Sequence, residues 1–317
     1  MDGMAGRHGQ ALNWALLVLF GCATFFAFLL LPLWLLPQSP WWGLLLIPIA
    51  LLSNSFWALN HEAIHGSFHP DAGLNHRAGR IMSVLLGSSF RLLRFAHLMH
   101  HRYNRYRLDR PDIYEPERGP YAVAKLRYVG ELLLLLYLSG VVVPLLCLQP
   151  KSGMRRIFDF VYRHPDPPVQ EVRTIADRLF FGDRSLSELR IDAILVILMV
   201  AGVVILYGAW WWMFVGFLVA RGALISALDN VYHFGTPLDR VDFAMNLRLA
   251  APLRLAILNM NMHRVHHHHP QLPWWRLPEQ FRRTGDSFDA GFIGTALAQF
   301  SGPVRMTARA AAGTEQA

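Results

Sequence analysis

Eight histidines fall in three short strings: His61 and His65 in HEAIH, His97, His100 and His101 in HLMHH, and His263, His266 and His267 in HRVHH. Within each string the spacing is three or four residues. On a helix that spacing puts the rings on one face, so each string can aim its imidazoles at a common point. One tetrahedral zinc cannot use eight imidazoles; the set suits two metal ions, and neutral imidazole is a good ligand for iron. In a membrane-embedded chain this implies a two-iron site that activates molecular oxygen beside an apolar substrate.

The same residues admit rival chemistry. His61-Glu62-Ala63-Ile64-His65 matches HExxH, the zinc-protease signature in which the glutamate acts as general base. That chemistry needs one zinc and one further ligand, and it leaves both HxxHH strings without a task. A membrane metal carrier would spread its ligands along a crossing path instead of gathering them. Outside the strings, His69 and His268 are expected to support the ligands rather than bind metal. His269 precedes a turn at Pro270, and His8, His76 and His164 are expected in solvent. Metal-bound imidazole usually donates its other N–H to an acceptor. Glu62, Asp109, Asp112 and Asp229 are candidates for that part, though each also suits an ordinary surface ion pair. Arg221 sits in an apolar stretch two turns before Asp229. It either reaches the interface along its own stem or grips a substrate carboxylate or headgroup.

The elements that must position these residues are membrane helices. Of 317 residues, 53% are hydrophobic and 16% charged, where a soluble domain has ~25% charged. The mean hydropathy is +0.27. Ala11 to Pro37 carries no charge and exceeds the ~20 residues that cross a bilayer; it is also too long for a signal-peptide core, so it reads as a retained helix. Cys22 and Cys147 lie in apolar runs and read as packing residues, not a disulfide. The formal charge is +8 and the isoelectric point 9.9. This fits the positive-inside rule with anionic lipid, or a docking face for an acidic electron carrier. The basic residues form no nucleic-acid recognition motif.

The expected fold class is an all-α integral membrane protein with two transmembrane helical hairpins and a cytoplasmic histidine-rich cap. One hairpin runs Ala11–Pro37, turns at Gln38-Ser39-Pro40 and returns over Trp41–Leu59; the other runs Ile191–Tyr207, turns at Gly208 and returns over Ala209–Leu228. Both turns lack Lys and Arg and carry tryptophan, which favours the interface, so the tips belong on the non-cytoplasmic side. Leu126–Leu148 is apolar enough to span, but one crossing there would strand the third string on the wrong side. With basic residues at both ends and Gly140 and Pro144 inside, it reads as a re-entrant or interfacial hairpin. Residues 149–190 read as a cytoplasmic loop, and Val241–Leu258 as an amphipathic stretch on the membrane surface. The domain plan is a tail at 1–10, one membrane domain at 11–300, and a disordered tail at 301–317.

The three strings and paired apolar helices resemble the membrane fatty acid desaturase and hydroxylase superfamily, whose pattern is HxxxH or HxxxxH, then HxxHH twice, over roughly residues 10–285 here. His266–Pro270 followed by Pro273-Trp274-Trp275-Arg276-Leu277-Pro278 is also similar to the end of carotenoid ketolases in that superfamily. The resemblance implies a cytoplasmic di-iron centre held by His61, His65, His97, His100, His101, His263, His266 and His267. It adds His233 as a ninth ligand and an Asn-type residue nearby, Asn230 or Asp229, to hold a metal-bound water. It further implies two iron ions, molecular oxygen as co-substrate and a fatty acyl or similar apolar chain. Electrons would come from a separate donor, a ferredoxin or cytochrome b5 with its reductase, and the location would be a bacterial inner membrane. Desaturation is the expected reaction. Hydroxylation, ketolation or decarboxylation to a terminal alkene use the same ligands.

Overall fold

The computed structural model describes residues 2–163 and 167–305. It is almost entirely helical. Among the described residues, three stretches, Gly6–Leu35, Pro40–His65 and Asp183–Asn230, are long and apolar enough to cross a membrane.

The first hairpin is made by α1 (Asp2–Phe25) with its continuation Phe26–Leu35, and by the short turn Pro40–Leu45 leading into α2 (Leu46–His65). Phe26–Leu35 is wound more widely, with i→i+5 bonding, around Pro32. Pro32 has no N–H to offer the Ala27 carbonyl, and the Tyr207 hydroxyl donates to that oxygen instead at 2.7 Å. A sequence defect in one hairpin is thus repaired by the other. At the tip, Ser39 accepts from Trp41 N and caps the turn, while Trp41 and Trp42 stay exposed.

The second hairpin joins α8 (Asp183–Tyr207) to α9 (Trp211–Asn230) through Gly208, whose φ of 51° suits glycine. α8 starts at Asp183, before the apolar run near Ile191, because its first turns are held by ion pairs. Glu188 pairs with Arg91 and His76, and Asp192 with Arg80. His76, expected in solvent, is therefore engaged. Between the hairpins α3 (Ala72–Leu85) and α4 (Phe90–Tyr103) meet at a 99° bend. Arg221 of α9 donates to the Leu85 and Leu86 carbonyls at 3.1 and 3.0 Å. Its guanidinium satisfies carbonyls at the C-terminal end of α3.

Two expectations change here. α5 (Tyr121–Cys147) runs as one helix through Gly140 and Pro144, without a hairpin reversal. Tyr128 near its start accepts from Asn230 at the end of α9, and the Gln149 carbonyl just past its end accepts from Arg190 near the start of α8. Both ends of α5 therefore lie at the ends of the second hairpin opposite its turn, so no break is needed to keep the third string on the right side. Residues 149–190 contain a helical pair, α6 (Lys151–Val161) and α7 (Val169–Leu179). Its Met154, Val172 and Ala176 pack on Phe95 and Met99 of α4, so this pair backs the second histidine string. His164 lies outside the described residues.

The last third is a set of short elements: β2 (Leu247–Arg248), α10 (Ala251–Ala256), α11 (His263–His268), α12 (Leu277–Arg283), β3 (Ala290–Gly291), α13 (Phe292–Ala298) and β4 (Val304–Arg305). β2 pairs in parallel with β3, and β4 with β1 (Ile113–Tyr114). The tail expected from residue 301 is paired as far as Arg305, where Val304 N donates to the Asp112 carbonyl at 2.7 Å.

Candidate metal centre

α2 delivers His61 and His65 on successive turns and stops at once. Gly66 takes φ 84°, the left-handed cap that ends a helix. α4 carries His97, His100 and His101. α11 is only six residues long and would not stand alone. It is held from outside: the Asn246 side-chain oxygen accepts from Arg264 N and Val265 N, replacing the missing N-terminal partners. Asn261 donates to the Leu247 carbonyl and Asn259 to that of Trp274.

The nine histidines named as ligands converge in two groups. His61, His65, His97, His101 and His266 form one; His100, His233, His263 and His267 form the other. Within each group the nitrogens lie within 4.8 Å of one another, close enough to hold a metal ion each. The Nε2 atoms of His65 and His97 are 2.9 Å apart, those of His97 and His101 3.0 Å, and those of His101 and His266 3.2 Å. In the smaller group, His100 and His233 Nε2 are 3.0 Å apart.

The partition follows helix geometry. One residue advances about 100°, so a side chain four residues on returns within about 40°, while one three residues on falls about 60° to the other side. Each i, i+4 pair stays together: His61 with His65, His97 with His101, His263 with His267. The residue at i+3, His100 or His266, crosses to the other group.

The donor set fits a bound metal on its own chemistry. Both ring nitrogens of His61 and Nε2 of His267 are buried without a hydrogen-bond partner, and buried polar atoms without partners are rare in native proteins. Burial first, then neighbouring imidazoles, hold the pKa values of His233, His266 and His267 well below the usual value, as they do for His263. These rings are neutral near pH 7, the form that ligates metal.

The supporting residues divide unevenly. His100 Nδ1–H donates to Asp109 at 2.7 Å, which leaves Nε2 as its ligand atom. Asp112 holds Arg105, itself fully buried, through two contacts of 2.8 and 3.2 Å and also accepts from Gly235 N at 2.7 Å. Arg105 donates to the Thr236 carbonyl, so the pair ties the end of α4 to the turn carrying His233. Sequence reading placed Asp112 among the imidazole acceptors and missed Arg105; the buried partner was the signal lacking. The Glu62 carboxylate accepts from Trp274 N and Ser67. Asn230 gives its amide to Tyr128 and Gln299, and Asp229 receives Trp57 Nε1–H at 3.4 Å. Outside both groups, His69 accepts from Asp71 N, His268 sits exposed 3.3 Å from Asp242, and His269 contacts Gln280. His8 is exposed.

A cavity of about 440 Å³ opens beside the smaller group. His100 and His233 line it with Trp57, Leu135, Ile225 and Asp229, and no histidine of the larger group does. Its wall is mixed, since Arg105, Asp109, Asp112, Ser226 and Asn230 also line it.

The fold, the three strings and this two-part site define a membrane protein of the histidine-box type. The sequence pattern of the fatty acid desaturase family matches residues 39–293, and the chain belongs to that family. No curated protein matches the chain closely enough to count as a relative. The family is an oxidoreductase family, so this chain is read as an oxidoreductase with a desaturase-like site.

Proposed function

We propose that this chain is an oxygen-dependent di-iron fatty acyl desaturase, with His61, His65, His97, His101 and His266 holding one iron and His100, His233, His263 and His267 the other. The observation that carries the reading is the gathering of nine imidazoles, six of them buried, from four separate segments into two metal-sized groups. Two irons bound there would supply, with molecular oxygen, the power to remove hydrogen from an unactivated C–H bond. The protein's own part is positional. Asp109 keeps His100 in the tautomer whose Nε2 faces the metal position. Trp57, Leu135 and Ile225 give the cavity an apolar wall where an acyl chain can be threaded, and its seating selects the reacting carbon. Asp229, half-buried at the same cavity, would hold a water near the smaller group; the Asn230 amide N–H groups go to Tyr128 and Gln299.

The side of the membrane is part of the proposal: the basic loops put the histidines at the cytoplasmic face, as in a bacterial inner membrane, where a separate ferredoxin or cytochrome b5 would deliver electrons. The zinc-protease alternative is disfavoured by Glu62, whose carboxylate serves Trp274 and Ser67 rather than a metal-bound water.

The test is a lipid mass profile of a host expressing this chain, set against the same host expressing His100→Ala. Desaturation gives a product lighter by two hydrogens that the variant does not make. A product heavier by one oxygen would move the reaction to a hydroxylase, one heavier by one oxygen and lighter by two hydrogens to a ketolase, and a terminal alkene one carbon shorter to a decarboxylase. Unchanged profiles in a host supplied with reductant and acyl substrate would sink the oxidative reading.

A further inference from the structure

α13 and α10 have faces that the bundle does not use. β2 and β3 pair in parallel, so the helices that follow them, α10 and α13, leave the pair in the same direction. α13 packs inward with Phe292 and Ala296 and turns Ile293 and Leu297 outward, with Phe300 of the 3-10 turn that follows also exposed; Leu297 is 68% exposed. No charged residue occurs between Ala290 and Pro303. A helix apolar on both faces belongs either in a protein core or in lipid. α10 adds Leu253 and Leu255, 52% and 55% exposed.

The depth of these helices is set by the bundle. The Ala256 carbonyl at the end of α10 accepts from the Ser55 hydroxyl. Ser55 lies ten residues before His65 in a membrane-spanning stretch, about 15 Å along the helix from the histidine end. Leu51 and Leu52 of α2, near that level, are exposed as well. At the other side, Gln299 just past α13 donates to the Ala227 carbonyl of α9. Arg248 is exposed before α10 and Arg254 lies within it, arginines able to reach headgroups while their stems stay among acyl chains.

We propose that α10 and α13 form a monotopic foot, embedded in the leaflet on the histidine side, with their outward leucines, Ile293 and Phe300 in contact with lipid acyl chains. The foot is continuous with the apolar belt of α2, which is why lipid rather than another protein is the occupant. It gives the histidine-bearing end a second hold on the membrane, and so fixes the height of the metal groups relative to acyl chains in that leaflet. This inference rests on the membrane reading of the helices and is independent of which reaction the site performs.

The test uses the full chain in phosphatidylcholine–phosphatidylglycerol nanodiscs, with Cys22→Ala and the buried Cys147 retained. Spin labels go on Leu253→Cys and Leu297→Cys, and on Leu255→Cys and Ile293→Cys should either first variant fail to fold. Collisions with oxygen, which partitions into lipid, are compared with collisions with a water-soluble nickel chelate. Leu52→Cys serves as the lipid reference and Glu117→Cys as the water reference. The expected result is an oxygen-to-nickel ratio at α10 and α13 matching Leu52 and several-fold above Glu117. Ratios like that of Glu117 would overturn the foot by placing it in water. Exclusion of both reagents would overturn it by showing a protein partner or a second copy over these faces.

Discussion

The two histidine groups are built from the same residue type on the same helices, yet they differ in enclosure and support. The five-histidine group lines no described cavity, though His65 and His101 in it are only half-buried, and Glu62 beside His61 in sequence holds Trp274. The four-histidine group has a carboxylate on His100, a buried ion pair behind His233, and a cavity at its side. Metal sites that serve structure are closed by protein ligands, whereas those that do chemistry keep a position open. Under the proposed function, that rule would make the smaller group the place where substrate and oxygen meet, with five imidazoles in the larger group against four.

The strongest way to break this contrast is to remove one ligand from each side and count iron. His233→Ala leaves three imidazoles in its group and His266→Ala leaves four in the other. Both are expected to lose activity to background, but iron per purified chain falls further in the first. Equal losses would mean that the two groups do not act as separate sites.

The next largest effect concerns the buried pair behind His233. Asp112→Ala strands the Arg105 guanidinium in the interior, which costs about 3–5 kcal/mol when a buried pair is broken. Thermal unfolding in nanodiscs should register that loss, together with weaker iron retention. A variant as stable as the parent would remove the pair from the account of how α4 and the His233 turn are joined.

Asp109→Asn keeps the shape but weakens the acceptor for His100 Nδ1–H. Loss of such a partner typically lowers metal affinity or activity about 10–100-fold. Iron titration and turnover should show it without a change in fold, which would sharpen the claim that carboxylate support belongs to the open group. Little or no change would place Asp109 among surface charges.

The smallest effect is expected on the enclosed side. A Cβ at Gly9 would collide with the Trp275 ring, and such overpacking costs about 1–3 kcal/mol. Gly9→Ala should lower the unfolding temperature while leaving the oxygen-to-product ratio and the iron count unchanged. A change in product would show that the Trp274–Trp275 segment shapes the reaction and not only the wall.

Much of this protein was determined along the chain. Histidines three and four apart name their own helix face, Pro32 and Gly66 mark a widened turn and a stop, and the uncharged runs with tryptophan-bearing turns set the two hairpins. The spacing read as one common point for each string, but the structure divides both HxxHH strings between the two groups, since the i+3 residue does not share the angle of the i, i+4 pair. What only the tertiary structure decided depends on partners far apart in sequence. α11 is capped by Asn246, Asp112 chose Arg105 over an imidazole, Asn230 gave its amide to Tyr128 and Gln299, and Arg221 closed the end of α3. A polar side chain carries no sign of which buried donor or acceptor will reach it. Burial makes that choice, because each such group must be satisfied once water is excluded.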